Sequence, residues 1–190
     1  MTGIREFDVV KIDKTWHKKE FLAFISNGKE DVLQQLLDLL EAIKIDYCVI
    51  GGLAVNAYVE PVVSLDLDLV VVATATEKLT NAATKFFKVE KFPHSFNLSS
   101  PKSDLRIQLQ IYPRYQAFIP RSSVKEIMGY SMKVATLEDV LQGKIWAYTD
   151  EQRRMSKRQK DLADIFRFVE AYPHVKDILP ETIKNKLETD

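Results

Sequence analysis

In "SLDLDLVVV", residues 64–72, two aspartates stand at the start of an apolar run. Strand side chains alternate between faces, so Ser64, Asp66, Asp68, Val70 and Val72 share one face and Leu65, Leu67, Leu69 and Val71 the other. The β-branched run predicts a strand buried on both faces. Carboxylates in such a place need a cation or strong hydrogen-bond donors. At i and i+2, Asp66 and Asp68 lie about 7 Å apart at Cα and can converge on one hard cation. Mg²⁺ suits them, with Mn²⁺ as its substitute, because Mg²⁺ takes one or two carboxylates and completes its shell with water and substrate phosphates. Upstream, "IGGLAVNAY" places Gly51 and Gly52 between a strand and a helix. Such a turn lets backbone N–H groups approach an anion, and alone it is equally an ordinary β-to-α turn. A glycine turn for phosphate followed by a carboxylate pair for its metal is a phosphoryl-transfer layout.

A second concentration of charge is "DEQRRMSKRQKDLAD", with Arg153, Arg154, Lys157, Arg158 and Lys160 close together. On a helix Lys157, Lys160 and Asp164 follow one another at i, i+3 and i+7, with Asp161 beside Asp164. One reading is a cationic rim for a triphosphate or an RNA; the other is a solvated face. Arg153 and Arg154 are expected to be solvated. In "YPRYQAF", Tyr112 and Tyr115 could stack a base, although core packing explains them as well.

These groups must be positioned by the elements around them. "EDVLQQLLDLLEAIK", residues 30–44, carries one apolar helical stripe through Val32, Leu33, Leu36, Leu37, Leu40 and Ile43. "DYCVI" reads as a strand, "LAVNAY" as a short helix, and "TATEKLTNAATKFF" as a helix capped by Thr74 or Thr76. "HSFNLSS", "PKSD" and "LRIQLQI" read as strand, turn and strand. From 136 onward the chain is helical, with Thr136 as N-cap of the first helix and Pro173 ending the second. "KKEFLAFISNG" suggests a short helix ending near Gly28; the rest of residues 1–29 gives no clear pattern. The order predicts one α+β domain over 1–190, with a core over about 30–135 and C-terminal helices over about 136–190.

The 27 basic and 27 acidic residues cancel, so no global field favours nucleic acid or an anionic membrane. No apolar run approaches a bilayer span, and charges in "MTGIREFDVVKIDK" stand where a leader needs apolar residues. The single cysteine, Cys48, excludes an internal disulfide and fits a reducing, cytoplasmic location.

"IGGLAVNAY…SLDLDLVVV" resembles the signature of the nucleotidyltransferase superfamily: hydrophobic strand, Gly-Gly turn, short helix, Asp-x-Asp strand. "VATLEDVLQGKIWAY" and "KRQKDLADI" look like the helical tail of small stand-alone AbiEii-type members, so that the likeness spans about residues 46–170. The resemblance implies a minimal nucleotidyltransferase fold, a mixed sheet flanked by helices with a C-terminal helical segment. It also implies Mg²⁺-dependent transfer of a nucleoside monophosphate from an NTP to an acceptor, RNA or protein. A toxin-type enzyme of a toxin–antitoxin pair acting on tRNA is one version. By this likeness Asp66, Asp68, Gln108 and Lys160 are the expected catalytic set, with Asp66 and Asp68 the metal ligands. Gly51, Gly52, Ser64, Lys144 and Asp161 are the expected nucleotide-binding set. One departure stands out. The superfamily usually places a third acid on a neighbouring strand, and here "IQL" puts Gln108 there. A carboxamide neither takes a proton at neutral pH nor brings charge to a cation. A catalytically silent nucleotide-binding or interaction module on the same fold is therefore the alternative.

Overall fold

The computed structural model describes residues 18–187; the N-terminal stretch considered above for a leader lies outside them. Two helices come first, α1 (Lys18–Ile25) and α2 (Val32–Ala42). The side chain of Asp31 caps α2, accepting from Gln34 N at 2.9 Å, and the stripe Val32, Leu33, Leu36, Leu37 and Leu40 is buried as its spacing predicts. Next come β1 (Tyr47–Ile50), α3 (Gly51–Val55) and β2 (Asp66–Val71). They are followed by α4 (Thr76–Ala83), β3 (Lys88–Phe92), β4 (Ser95–Ser100) and β5 (Ser103–Gln110). A 3-10 segment, Pro113–Arg121, leads to β6 (Ser123–Ile127) and β7 (Tyr130–Val134). Three helices close the chain, α5 (Leu137–Thr149), α6 (Met155–Ala171) and α7 (Glu181–Leu187).

The strands form one mixed seven-stranded sheet in the order β3-β4-β5-β2-β1-β7-β6, so the expected α+β class is observed. β2 lies at its centre, antiparallel to β1 and parallel to β5. Its Leu67, Leu69, Val70 and Val71 are buried, which accounts for the unbroken apolar run after Asp68. On β5, Leu105 faces α1 and α2, with Leu22 and Leu33 beside it. Gln108 and Gln110 face the opposite way, toward Val140 and Lys144 of α5. α5 is capped as predicted, Thr136 accepting from Asp139 N at 3.2 Å. α6 packs along α5, with Ile165 and Phe168 fully buried and the Phe168 ring 6.3 Å from that of Tyr58.

Several expectations are corrected. α3 begins at Gly51 itself rather than after the glycine pair. Neither Thr74 nor Thr76 caps α4: a 3-10 turn, Ala73–Ala75, precedes it, and the Thr76 hydroxyl donates back to Ala73 O. β3, β6 and β7 were not expected. β3 and β6 form the sheet's edges and carry charges along mostly exposed positions, so alternation is faint there. β6 and β7 join through Met128 and Gly129, both at positive φ, the two-residue turn that suits a hairpin's twist.

Candidate active site

β1 ends where the chain must turn sharply into α3. Gly51 does this at φ +70°, and a Cβ there would stand 2.2 Å from Asp68 Oδ2. The glycine is thus required twice, by its backbone conformation and by the carboxylate that occupies its empty side. Gly52 faces elsewhere: a Cβ on it would meet Ser64 Oγ at 3.3 Å. Ser64 is buried, and its hydroxyl both accepts from Asp66 N and donates to Asp66 O at 3.3 Å. It fixes the start of β2 and lines neither lobe of the cleft described next.

The cleft has two lobes. Asp68, Gln108 and Arg153 line both. The smaller, about 110 Å³, is completed by Gly51, Tyr115, Lys144 and Asp161 among others. The larger, about 400 Å³, includes Asp66, Asn97, Arg106 and Lys157. That volume lies within the range of small-molecule sites.

Strand register fixes what stands beside the two aspartates. Asp66 pairs with Arg106 and Asp68 with Gln108. Asp66 Oδ1 is 2.8 Å from Arg106 Nε, and its Oδ2 is 3.6 Å from Lys157 Nζ. Gln108 Nε2 donates to Asn97 Oδ1 at 3.3 Å, and its Oε1 accepts from Gln110 Nε2 at 3.1 Å. Asp68 has none of this: among the described residues no group hydrogen-bonds its carboxylate and no cation stands at ion-pair distance. Lost solvation pushes its pKa up to about 6; Lys144 and Arg153 oppose the rise, and Asp66 and Asp161 add to it. Asp104 does not supply the third acid. It lies within β5, exposed, four positions from Gln108 or about 13 Å along the strand.

Across the cleft Lys144 is 5 % exposed, and its Nζ stands 3.0 Å from Asp161 Oδ1 and 2.6 Å from Asp164 Oδ2. The Asp164 approach is an ion contact without the alignment of a hydrogen bond. Burial alone would lower the Lys144 pKa; the two carboxylates outweigh it and hold the ammonium above its usual value. Arg153 Nε donates to Asp161 Oδ2 at 2.9 Å, and Arg167 Nη1 to Asp164 Oδ1 at 2.8 Å.

Lys144 and Asp161, expected in the nucleotide-binding set, both line the smaller lobe and are bonded to each other. Lys160 is corrected. It is exposed and lines neither lobe, because on α6 it sits about 100° around from buried Asp161. Lys157, one turn before Asp161 on the same stripe, reaches the cleft instead. Arg153 and Arg154 are both exposed as expected, and Arg153 also lines both lobes and pairs with Asp161. Tyr115 is buried edge-on against Phe118 and Trp146, so packing rather than base stacking is its observed role.

No protein-family model matches the sequence, and neither does any curated protein. Solved structures do match the fold. ANT(2'')-Ia in complex with adenylyl-2''-tobramycin aligns with a TM-score of 0.61 at 15% identity, over 83% of this chain and 95% of that one. The solution structure of the antibiotic-resistance factor ANT(2'')-Ia gives 0.59 at 12%, over 83% and 89%. The lincomycin-bound lincosamide antibiotic adenylyltransferase LnuA gives 0.52 at 16%, over 74% and 98%. The chain has the nucleotidyltransferase fold, and at these identities the likeness extends to the fold alone. Among the described residues no helix is long and apolar enough to cross a membrane.

Proposed function

We propose that the chain binds a nucleoside triphosphate together with one divalent cation at Asp66 and Asp68, and transfers the nucleoside monophosphate to an acceptor hydroxyl. The observation that carries this reading is Asp68, a carboxylate set against the Gly51 turn, facing a lobe of ligand size, with no partner among the described residues. The donor set fits one hard cation. Among the described residues Asp68 is unshared, and the partners of Asp66 are an exposed arginine and a lysine at 3.6 Å. No group of three acidic, histidine or cysteine side chains converges among the described residues. That favours a shell completed by water and substrate phosphates over an all-protein cage. When bound, such a cation would neutralise the developing charge on the phosphates.

The chain's own residues do the rest. Gly51 leaves room for Asp68 and opens the turn toward the smaller lobe. Arg153, in the turn before α6, and Lys157, on α6, bring positive charge to the cleft, where a polyphosphate would carry its negative charge. In transfer, the acceptor oxygen bonds to the α-phosphorus and the bond to the β-phosphate oxygen breaks. Pyrophosphate leaves, and the hydroxyl proton passes to solvent. An RNA hydroxyl and a protein hydroxyl fit the same chemistry as acceptors; the AbiEii-type reading rests on sequence resemblance.

Gln108 favours a second reading, nucleotide binding with little turnover, because no charged group beside Asp68 takes the proton or completes a second metal site. The test uses labelled NTPs with bulk tRNA or protein, the natural chain beside Gln108→Asp and Asp66→Asn. Slow transfer that Gln108→Asp accelerates, and Asp66→Asn abolishes, is expected. Vigorous transfer by the natural chain would exclude the silent module; transfer unaffected by Asp66→Asn would refute the metal site.

A further inference from the structure

We propose that Arg106 is a resident counter-ion that occupies the cation position on Asp66 until a triphosphate draws it away, so that metal and nucleotide bind as a coupled unit. This deepens the reading above and rests on it. Asp66 and Arg106 are register partners on adjacent parallel strands, so the backbone itself sets the guanidinium beside the carboxylate. Arg106 Nε stands 2.8 Å from Asp66 Oδ1. A divalent ion bridging Asp66 and Asp68 needs a lone pair from each, and a guanidinium already on Oδ1 both blocks that oxygen and repels the ion. Lys157, 3.6 Å from Oδ2, does the same more weakly from α6.

The lock is light. The Arg106 side chain is 70% exposed, and exposed pairs of this kind shift an equilibrium by at most about fivefold. It is also anchored in the right place to be released. Arg106, Arg153 and Lys157 line the same lobe as both aspartates, and a guanidinium matches phosphate oxygens through a paired donor fork. A triphosphate in that lobe gives Arg106 a richer partner than Asp66. Its departure would leave Oδ1 open to a divalent cation, which would supply a further contact for the phosphates. Each ligand then raises the affinity for the other by the same factor. The free protein is spared from binding a divalent ion unproductively.

The test measures binding of Mn²⁺ alone, of a non-hydrolysable ATP or GTP analogue alone, and of both together, by calorimetry and by the Mn²⁺ resonance signal. The natural chain is compared with Arg106→Gln and Arg106→Lys, and thermal unfolding checks that each is folded. Arg106→Gln should bind Mn²⁺ alone about three- to fivefold more tightly. It should bind the analogue more weakly, and the enhancement of Mn²⁺ binding by the analogue should fall by about three- to fivefold. Arg106→Lys should retain most of that coupling. If folded Arg106→Gln binds Mn²⁺ no more tightly, or keeps the full coupling, the counter-ion role is wrong while the nucleotide site stands. If the natural chain binds no Mn²⁺ even with the analogue, the site reading falls and this inference with it.

Discussion

Two pairs of aspartates, Asp66 and Asp68 on β2 and Asp161 and Asp164 on α6, differ in how their charge is met. Asp161 and Asp164, three apart on α6, are 3% and 5% exposed. All four of their oxygens are accounted for, by Lys144, Arg153 and Arg167. Asp66 and Asp68, two apart on β2, are less deeply buried, yet among the described residues Asp68 has no partner. The deeper pair is a finished structural network joining α5 to α6. The shallower pair is an unfinished one, and lack of compensation, more than burial, marks the place where a cation from outside is needed.

The largest expected effect lies in the finished network. Lys144→Ala leaves Asp161 and Asp164 without their shared ammonium and should cost about 3–5 kcal/mol in urea unfolding. A loss below 1 kcal/mol would mean that Arg153 and Arg167 suffice and that the two pairs differ less than described. Gly51→Ala comes next. The added methyl meets Asp68 Oδ2 and the residue must hold a left-handed φ, so a loss of about 1–3 kcal/mol is expected. Nucleotide binding should fall with it, because the strain is released by moving Asp68. A smaller contrast separates two lysines on α6. Lys157→Ala should weaken binding of a triphosphate analogue several-fold, whereas Lys160→Ala should leave binding unchanged and stability within about 0.5 kcal/mol. Equal effects from both would put the cleft face of α6 in the wrong place.

The central features were legible in the sequence because each rests on a local pattern. The run after Asp68 showed a central strand, the glycine pair a turn, and the apolar stripe of residues 32–40 a helix. Lys157 was also within reach: it shares the stripe of Asp161, Ile165 and Phe168, and a phase count from those residues separates it from Lys160. A dense run of like charges hid that phase. Arg106 was not legible. Its pairing with Asp66 depends on the register of two strands that are distant in sequence, and no local pattern encodes that. The edge strands escaped because neither face of β3 is well buried.

The measurement that bears most directly on the account is thermal unfolding of the natural chain and Asp68→Asn, with EDTA and then with Mn²⁺ and a non-hydrolysable NTP. Asp68 has its pKa raised from 3.8 to about 6 in the fold, so the folded state holds the proton over that interval and the unfolded state does not. Stability from this group is present below about pH 4 and is lost as pH rises through 6. One pKa unit corresponds to about 1.4 kcal/mol. In EDTA at pH 7.5, Asp68→Asn should therefore be more stable by about 1–3 kcal/mol, melting about 2–12 °C higher, with no advantage near pH 4. Mn²⁺ with the analogue should raise the melting temperature of the natural chain and leave that of Asp68→Asn unmoved. A variant that melts lower than the natural chain in EDTA, or that gains as much from metal and nucleotide, would contradict the claim that Asp68 awaits a cation.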